Sequence, residues 1–315
     1  MIDISIIVPC FNEEDSIPMF YQETTKVLKT IGKKYEILFV DDGSTDKTLD
    51  VIKEISQKDE SILYLSFSRN FGKEASMFAG LKNSHGNYVA VMDADLQDPP
   101  SLLPDMISYL ESGQYDCVAT RRINREGEAP VRSWFSKKFY KLINKISDVD
   151  IVDGARDFRL MKRDMVDAIL AMNEYNRFSK GIFGWVGFRT KWIPFKNVER
   201  VAGETKWSFW RLFKYAVEGI ISFSQSPLSL ASWIGTILTI VSFLSILFII
   251  IRKIVFGDPV AGWASTICVV IFMGGVQLLI LGIIGQYLSK AYLETKNRPH
   301  YIASESNFED AKKIG

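Results

Sequence analysis

The 315-residue chain carries a formal net charge of +1 and is 47% hydrophobic, averages that suit one or two ordinary domains. The near-neutral balance excludes a surface built for nucleic acid by overall basic excess. Three scattered cysteines, Cys10, Cys117 and Cys268, exclude a disulfide framework and zinc-ligand spacing, and His85 and His300 are too few and too far apart in sequence for a histidine triad or histidine metal cluster.

The start, Met1-Ile2-Asp3-Ile4, lacks a basic region and its apolar run stops at Pro9, so it does not read as a secretory signal and the N-terminal part is expected to stay in the cytoplasm. Short apolar runs at 4–9, 35–40, 62–67, 88–92 and 116–120 predict strands, and amphipathic stretches at 16–31, 47–56, 73–83 and 101–111 predict helices between them. That alternation is the pattern of an α/β fold, a mostly parallel sheet covered by helices. In such a sheet the ligand crevice lies at the carboxyl ends of the strands, and several of these ends turn polar. After Arg121 the periodicity changes. Residues 131–147 mix aromatic and basic side chains at helical spacing, and residues 207–226 do so again before running into a long apolar stretch. Both predict amphipathic helices lying in a membrane interface; the competing reading is packing against the sheet domain or a partner subunit.

Residues 227–251 and 259–289 contain no charged side chain, and each exceeds the roughly 20 apolar residues that cross a hydrocarbon core. The connector 252–258 is too short for anything but a tight return, so 227–289 predicts a two-helix transmembrane hairpin. Arg211, Lys214, Lys290, Lys296, Arg298, Lys312 and Lys313 on the flanks outnumber Arg252 and Lys253 in the connector, which places the soluble domain and both termini on the cytoplasmic side of the cell membrane. The expected organisation is therefore a cytoplasmic domain over 1–206, a juxtamembrane helix over 207–226, the hairpin over 227–289, and a polar tail over 290–315 that extends along the cytoplasmic surface. Gly274-Gly275 and Gly282-x-x-Gly285 would let helices approach closely, either between copies in a homo-oligomer or within one hairpin.

Chemistry concentrates at three strand ends. Asp93-Ala94-Asp95 directly follows the apolar run 88–92, and two carboxylates two residues apart at a strand end can reach one hydrated divalent cation. Magnesium or manganese would then bridge Asp95 to a diphosphate. An Asp-x-Asp alone is common in surface loops; the preceding strand and the turn Leu96-Gln97-Asp98-Pro99-Pro100 give this one its site context. Val40-Asp41-Asp42-Gly43-Ser44-Thr45-Asp46 combines a glycine turn, helix-capping hydroxyls and paired carboxylates, one of which is expected to remain free for a base or ribose. A capping turn explains residues 44–46 but not the pair Asp41 and Asp42. The first strand end offers Pro9 and Glu13 to the same crevice, whereas Cys10 reads as a small packed side chain.

Together, Ile7-Val8-Pro9-Cys10-Phe11-Asn12-Glu13-Glu14, Val40-Asp41-Asp42-Gly43-Ser44 and Met92-Asp93-Ala94-Asp95-Leu96-Gln97-Asp98-Pro99-Pro100 resemble the inverting glycosyltransferases of family two, with the GT-A fold. Asp157-Phe158-Arg159-Leu160-Met161, Gly203-Glu204-Thr205-Lys206-Trp207 and Gly285-Gln286-Tyr287-Leu288 through Lys296-Asn297-Arg298-Pro299 are similar to the polyisoprenyl-phosphate branch, the bactoprenol glucosyltransferases above all. The resemblance implies that Pro9, Glu13 and Asp42 hold the uracil and ribose, with Asp41 beside them. It implies that Asp93 holds the donor sugar or ribose, Asp95 the metal, and that Gln97 lies near the reacting sugar. It further implies that Asp157 is needed for activity and that Arg200 and Lys206 approach phosphates. The Gln-x-x-Arg-Trp element of processive synthases is missing, which argues against repeated chain extension.

The implied reaction moves a hexose, glucose from UDP-glucose, to undecaprenyl phosphate. Its acceptor oxygen is already anionic near neutral pH, so a strong base is unnecessary and the harder task is electrostatic. Candidate receivers of the acceptor phosphate are Arg121, Arg122, Arg125, Arg132, Arg200 and Lys206, since guanidinium groups pair well with phosphate. Asp157 has a competing reading, a local ion-pair cluster within Arg156-Asp157-Phe158-Arg159. Rival functions are the same transfer from UDP-N-acetylglucosamine or GDP-mannose, a nonenzymatic membrane sensor of nucleotide sugars, and a lipid-linked sugar flippase.

Overall fold

The computed structural model describes residues 2–122, 152, 154–195, 226–256 and 262–315. Eight strands form one sheet: β1 (Ile4–Cys10), β2 (Tyr35–Asp41), β3 (Ile62–Phe67), β4 (Tyr88–Val91), β5 (Cys117–Arg122), β6 (Ala155–Lys162), β7 (Thr190–Phe195) and β8 (Ala303–Ser306). Their order across the sheet is β7-β5-β6-β4-β1-β2-β3-β8. β6 and β8 run against their neighbours, and the remaining pairs are parallel. The first five strands fall within a residue or two of the apolar runs that predict them, because those side chains are the buried ones.

Strand alternation divides the core. Ile4, Ile6 and Val8 of β1 with Ile37 and Phe39 of β2 face α1 (Ser16–Ile31), α2 (Thr48–Ser56) and α4 (Leu103–Glu111). Ile7, Leu38 and Val40 face the other way, toward α3 (Lys73–Lys82), α5 (Arg163–Ala171) and α6 (Ser179–Trp185). α3 lies tight on β1 because residue 80 is glycine: a Cβ there would stand 2.1 Å from Ile7 Cγ2. The chain steps from β1 outward to β2 and β3, then returns to β4 on the other side of β1. The crevice at a reversal of this kind is where open α/β sheets bind ligands.

Two elements depart from the expectation. β6, which carries Asp157, enters antiparallel between β4 and β5. The tail does not simply lie along the surface. Its residues Ala303–Ser306 pair antiparallel with the edge of β3, and Tyr301 is fully buried. The Tyr301 ring stacks on Phe67 at 5.0 Å, and its hydroxyl accepts a hydrogen bond from Asn83 Nδ2 at 3.1 Å and donates to the Lys312 carbonyl at 2.5 Å. Asn83 Oδ1 in turn accepts the Lys312 N–H at 2.7 Å.

α7 (Ser226–Phe256) and α8 (Trp263–Thr295) are long and apolar enough to cross a membrane over Leu228–Ser245 and Phe272–Thr295. Those windows are 6% and 0% buried, unlike core helices of a soluble protein. A Cβ at Gly274, Gly275, Gly282 or Gly285 would meet no described atom within 4 Å. The amphipathic stretches expected at 131–147 and 207–226 lie outside the described residues, apart from Ser226 at the start of α7.

Removing the Tyr301 ring is expected to destabilise the sheet domain by about 3–5 kcal/mol, as for other buried aromatics, with Tyr301→Phe losing about 1 kcal/mol for its hydrogen bonds. Denaturant midpoints of the two variants test this; an unchanged midpoint for Tyr301→Ala would show that the tail is not anchored there.

Candidate active site

The β1 and β2 loops are laced to each other before any ligand is considered. The Asn12 N–H donates to Ser44 Oγ at 3.0 Å, the Thr45 N–H to Asn12 Oδ1 at 2.9 Å, the Glu13 N–H to Thr48 Oγ1 at 2.8 Å, and the Lys47 N–H to Glu14 Oε2 at 2.8 Å. Asn12 adopts φ 54 and Gly43 φ 66, and a Cβ on Gly43 would stand 2.6 Å from the Arg69 carbonyl carbon. Glu13 also accepts from Ser16 Oγ at 2.9 Å, and Pro9 is half-buried at the end of β1.

Neither carboxylate of the second strand end stands free, which corrects the expectation. Asp41 is buried and accepts from the Ser44 N–H at 3.1 Å and Ser66 Oγ at 2.8 Å. Asp42 is buried too, and holds the turn after β3 through the Phe71 N–H at 2.6 Å and the Gly72 N–H at 2.9 Å. Burial pushes the Asp42 carboxyl up to about 6 despite those donors. Cys10 is buried, its thiol raised well above the usual range by desolvation and by Asp41, so it is no nucleophile.

The turn held by Asp42 delivers a residue that the motifs do not single out. Gly72, at φ 99, stands at the cap of α3, and Lys73 is the helix's first residue. Lys73 Nζ lies 2.6 Å from Asp93 Oδ1 and 2.7 Å from Asp157 Oδ2. One ammonium thus joins the tip of β4 to β6, and Asp93, Asp157 and Lys73 converge beside the reversal point. Arg156 completes the edge: its Nε donates to Asp98 Oδ1 at 3.0 Å, and its guanidinium reaches to 4.0 Å from Asp93. Arg156 pairs with Asp98 and Asp157 with Lys73, so residues 156–159 are not a self-contained ion-pair cluster. Asp95 and Gln97 sit in the turn after Asp93; the Gln97 N–H donates to Asp95 Oδ1 at 3.1 Å and Leu96 adopts φ 55.

Electrostatics sets the protonation states. Burial works against charge on Lys73, but Asp157 and Asp93 overcome it and hold the ammonium protonated. Burial likewise works against Asp157, and Lys73, Lys180 and Arg159 reverse it, keeping this carboxylate ionised well below the usual range. Asp98 is raised to about 6 by burial against the pull of Arg156. Glu74, next to Lys73, is raised to about 7 by burial and by the charge of Asp157, although Ser179 donates to it through N–H and Oγ. Arg159 is buried, with its guanidinium 3.5 Å over the Phe183 ring.

Arg121 and Arg122 end β5, the first exposed and the second half-buried. Arg125, Arg132, Arg200 and Lys206 lie outside the described residues. Among the described residues, no group of three His, Cys, Asp or Glu side chains could hold a metal by itself. Asp95, in the turn after Asp93, offers the hard carboxylate oxygen that magnesium takes together with substrate phosphates and water, so it fits such an ion.

Glu74 generates a pH signature. Its folded pKa lies above the 4.5 of a free glutamate, so the folded state holds the proton more tightly and stability falls as pH rises from about 4.5 to about 7. Glu74→Gln, which mimics the neutral acid, should therefore gain on the parent across that window and level off above it. Unfolding midpoints at several pH values check this, and parallel curves would sink it.

Residues 5–170, more than half of the chain, match the family model Glycosyl transferase family 2. The bactoprenol glucosyl transferase of Shigella phage SfX is 42% identical over 95% of this chain and 98% of its own length. A prophage bactoprenol glucosyl transferase homolog of Escherichia coli (strain K12) is 40% identical over 95% of this chain and 97% of its own. Among solved structures, the mannosyltransferase PcManGT from Pyrobaculum calidifontis, in complex with GDP-Man and Mn2+, aligns with 93% of this chain and 86% of that one at a TM-score of 0.49 and 16% identity. By the family match and by relatives alike along nearly their whole length, the chain belongs to glycosyltransferase family 2 and has its GT-A fold.

Proposed function

We propose that this glycosyltransferase moves glucose from UDP-glucose to undecaprenyl phosphate at the cytoplasmic face of the cell membrane, inverting the anomeric centre. The observation that carries the reading is the gathering of Asp93 and Asp157 on Lys73 at the sheet's reversal point, in a chain with two helices of membrane-crossing length. The names of the relatives support glucose and a bactoprenol carrier. The pairing of β8 with β3 supports a hairpin whose two flanks return to one side.

Pro9, Glu13, Asp41 and Asp42 form the floor for the nucleotide. Asp41 and Asp42 act chiefly by fixing the loops, and their remaining lone pairs are what they can offer the base and ribose. Asp93 holds the donor sugar or ribose, and Gln97 lies near the reacting carbon. Asp95, with the donor's phosphates, would hold magnesium or manganese, which when bound supplies charge neutralisation for the departing diphosphate. The acceptor phosphate oxygen bonds to C1 as the bond from C1 to the diphosphate oxygen breaks, and UDP leaves with the electron pair. No proton need be removed from an oxygen that is already anionic. Asp157, held ionised by Lys73, has no proton to give; it accepts hydrogen bonds and orients the sugar or acceptor. Arg121, Arg122, Arg132, Arg200 and Lys206 are the proposed receivers of the lipid phosphate.

The test is to offer purified protein, undecaprenyl phosphate and manganese or magnesium a panel of nucleotide sugars. A lipid-extractable product is expected with UDP-glucose, and none in a chelator. A protein that binds nucleotide sugars without turnover would be a sensor instead. Asp95→Asn is expected to lower kcat by about 10²–10³-fold, the scale of losing one charge-stabilising group, with the KM for lipid little changed; parental turnover would remove Asp95 from the chemistry.

A further inference from the structure

The end of α8 touches the sheet domain beside the active site, and its contacts are not those of a simple tether. Glu294 lies in the last turn of α8, where a carboxylate is disfavoured by the helix dipole, so helix stability does not account for it. Its Oε1 and Oε2 accept the Tyr175 N–H at 2.9 and 3.1 Å, with the Asn176 N–H at 3.5 Å from Oε1. Six residues on, the His300 ring lies between Phe78 of α3 at 4.6 Å and Tyr175 at 5.9 Å. Arg177 covers the Phe78 ring at 4.6 Å and donates to the Met172 carbonyl and, at 3.3 Å, to that of Ile169. Residues 175–177 are therefore gripped by the membrane helix, the tail and α3 together.

That segment leads directly into α6, and α6 meets the catalytic edge through two contacts and one charge. Ser179 donates to Glu74, the neighbour of Lys73. Lys180 is near enough to Asp157 to help keep it ionised. Phe183 lies under the guanidinium of Arg159, which is also held by the hydrogen bond that its Nη2 donates to the Arg156 carbonyl at 3.2 Å.

We propose that Glu294 is a positioning residue for glycosyl transfer: by holding residues 175–176 from the end of the membrane helix, it sets α6 and, through α6, the Lys73 and Asp157 pair. The role rests on the reaction proposed above. The anchor then does more than keep the enzyme at the lipid; its end fixes the geometry of the edge that meets an acceptor arriving from the same bilayer.

The full chain in lipid nanodiscs tests this with Glu294→Ala, Glu294→Gln and Asn307→Ala. The last loosens the tail elsewhere, where Asn307 binds the Tyr64 N–H and the Ile62 carbonyl. Glu294→Ala is expected to lower kcat about tenfold per folded molecule with the donor KM within about twofold, a tenfold loss corresponding to about 1.4 kcal/mol. Glu294→Gln, whose amide oxygen still accepts the Tyr175 N–H, should recover most of that loss. Asn307→Ala should lower the thermal midpoint and leave kcat unchanged. Hydrogen exchange supplies a readout independent of turnover: amides 175–183 and the first turn of α3 should exchange about tenfold faster in Glu294→Ala. Unchanged exchange in the first turn of α3, or wild-type kcat in Glu294→Ala beside an active parent, overturns the role. A parent that transfers no sugar to lipid would instead fail the proposed reaction, and the exchange measurement would still decide the coupling.

Discussion

One ammonium between two carboxylates fixes the arrangement of this active site. Lys73 reaches Asp93 at the tip of β4 and Asp157 on β6 within 2.7 Å of each, so two strands that run in opposite directions present their acids to one point. Breaking such a partly buried pair leaves an uncompensated charge, whereas keeping it gives modest net stability. The triad is thus better understood as a device for placement. Its consequence for chemistry is direct, because a carboxylate held ionised can accept hydrogen bonds or support a cation but cannot act as a general acid.

Placement of Lys73 depends in turn on the turn before it. The two N–H groups of Phe71 and Gly72 are held by Asp42, which is itself fixed at the end of β2 and buried at 3% exposure. Desolvating a carboxylate is unfavourable unless donors replace the lost water, and the turn supplies them. The paired aspartates of the second strand end are therefore partly structural: Asp41 ties β2 to β3 through Ser66, and Asp42 ties the β3 turn to β2. A nucleotide arriving in the crevice meets loops already set, which limits the ordering entropy that binding must overcome.

The sequence makes the first half of the fold legible because buried parallel strands are continuous apolar runs, and α1, α2 and α4 sit where their amphipathic spacing places them; α3 falls at its expected place although it is buried without a break from Ala75 to Leu81. β6 escapes that reading since Arg156, Asp157 and Arg159 interrupt its apolar positions, and the charges of Arg156 and Asp157 are answered by Asp98 and Lys73, far along the chain. β8 has no apolar residue beyond Ala303; its pairing comes from the open edge of β3 and the anchor of Tyr301, neither visible locally. Asp93 and Asp95 are legible as candidates because acids at strand ends stand out, and Asp157 through the family resemblance of Asp157-Phe158-Arg159-Leu160-Met161. Lys73 is not, since one lysine at the start of a helix looks like any solvated charge, and only the Gly72 turn distinguishes it. Glu74, next to it, is hidden for the same reason.

The electrostatic problem of the proposed reaction explains why these particular features belong together. A donor diphosphate and a lipid phosphate are both anions, and their mutual repulsion is weakest where fixed positive charge stands between or beside them. Lys73 and Arg156 are already committed to Asp93, Asp157 and Asp98, so they set positions and have little net charge left to offer. On the proposed reaction, the neutralising charge for the leaving group would then come from a cation held at Asp95, and that for the acceptor from other basic side chains. Such a division requires that the edge between the two anions not drift, and α6, packed under Arg159 through Phe183, hydrogen-bonded to Glu74 through Ser179 and preceded by the segment that Glu294 of α8 holds, is placed to steady it.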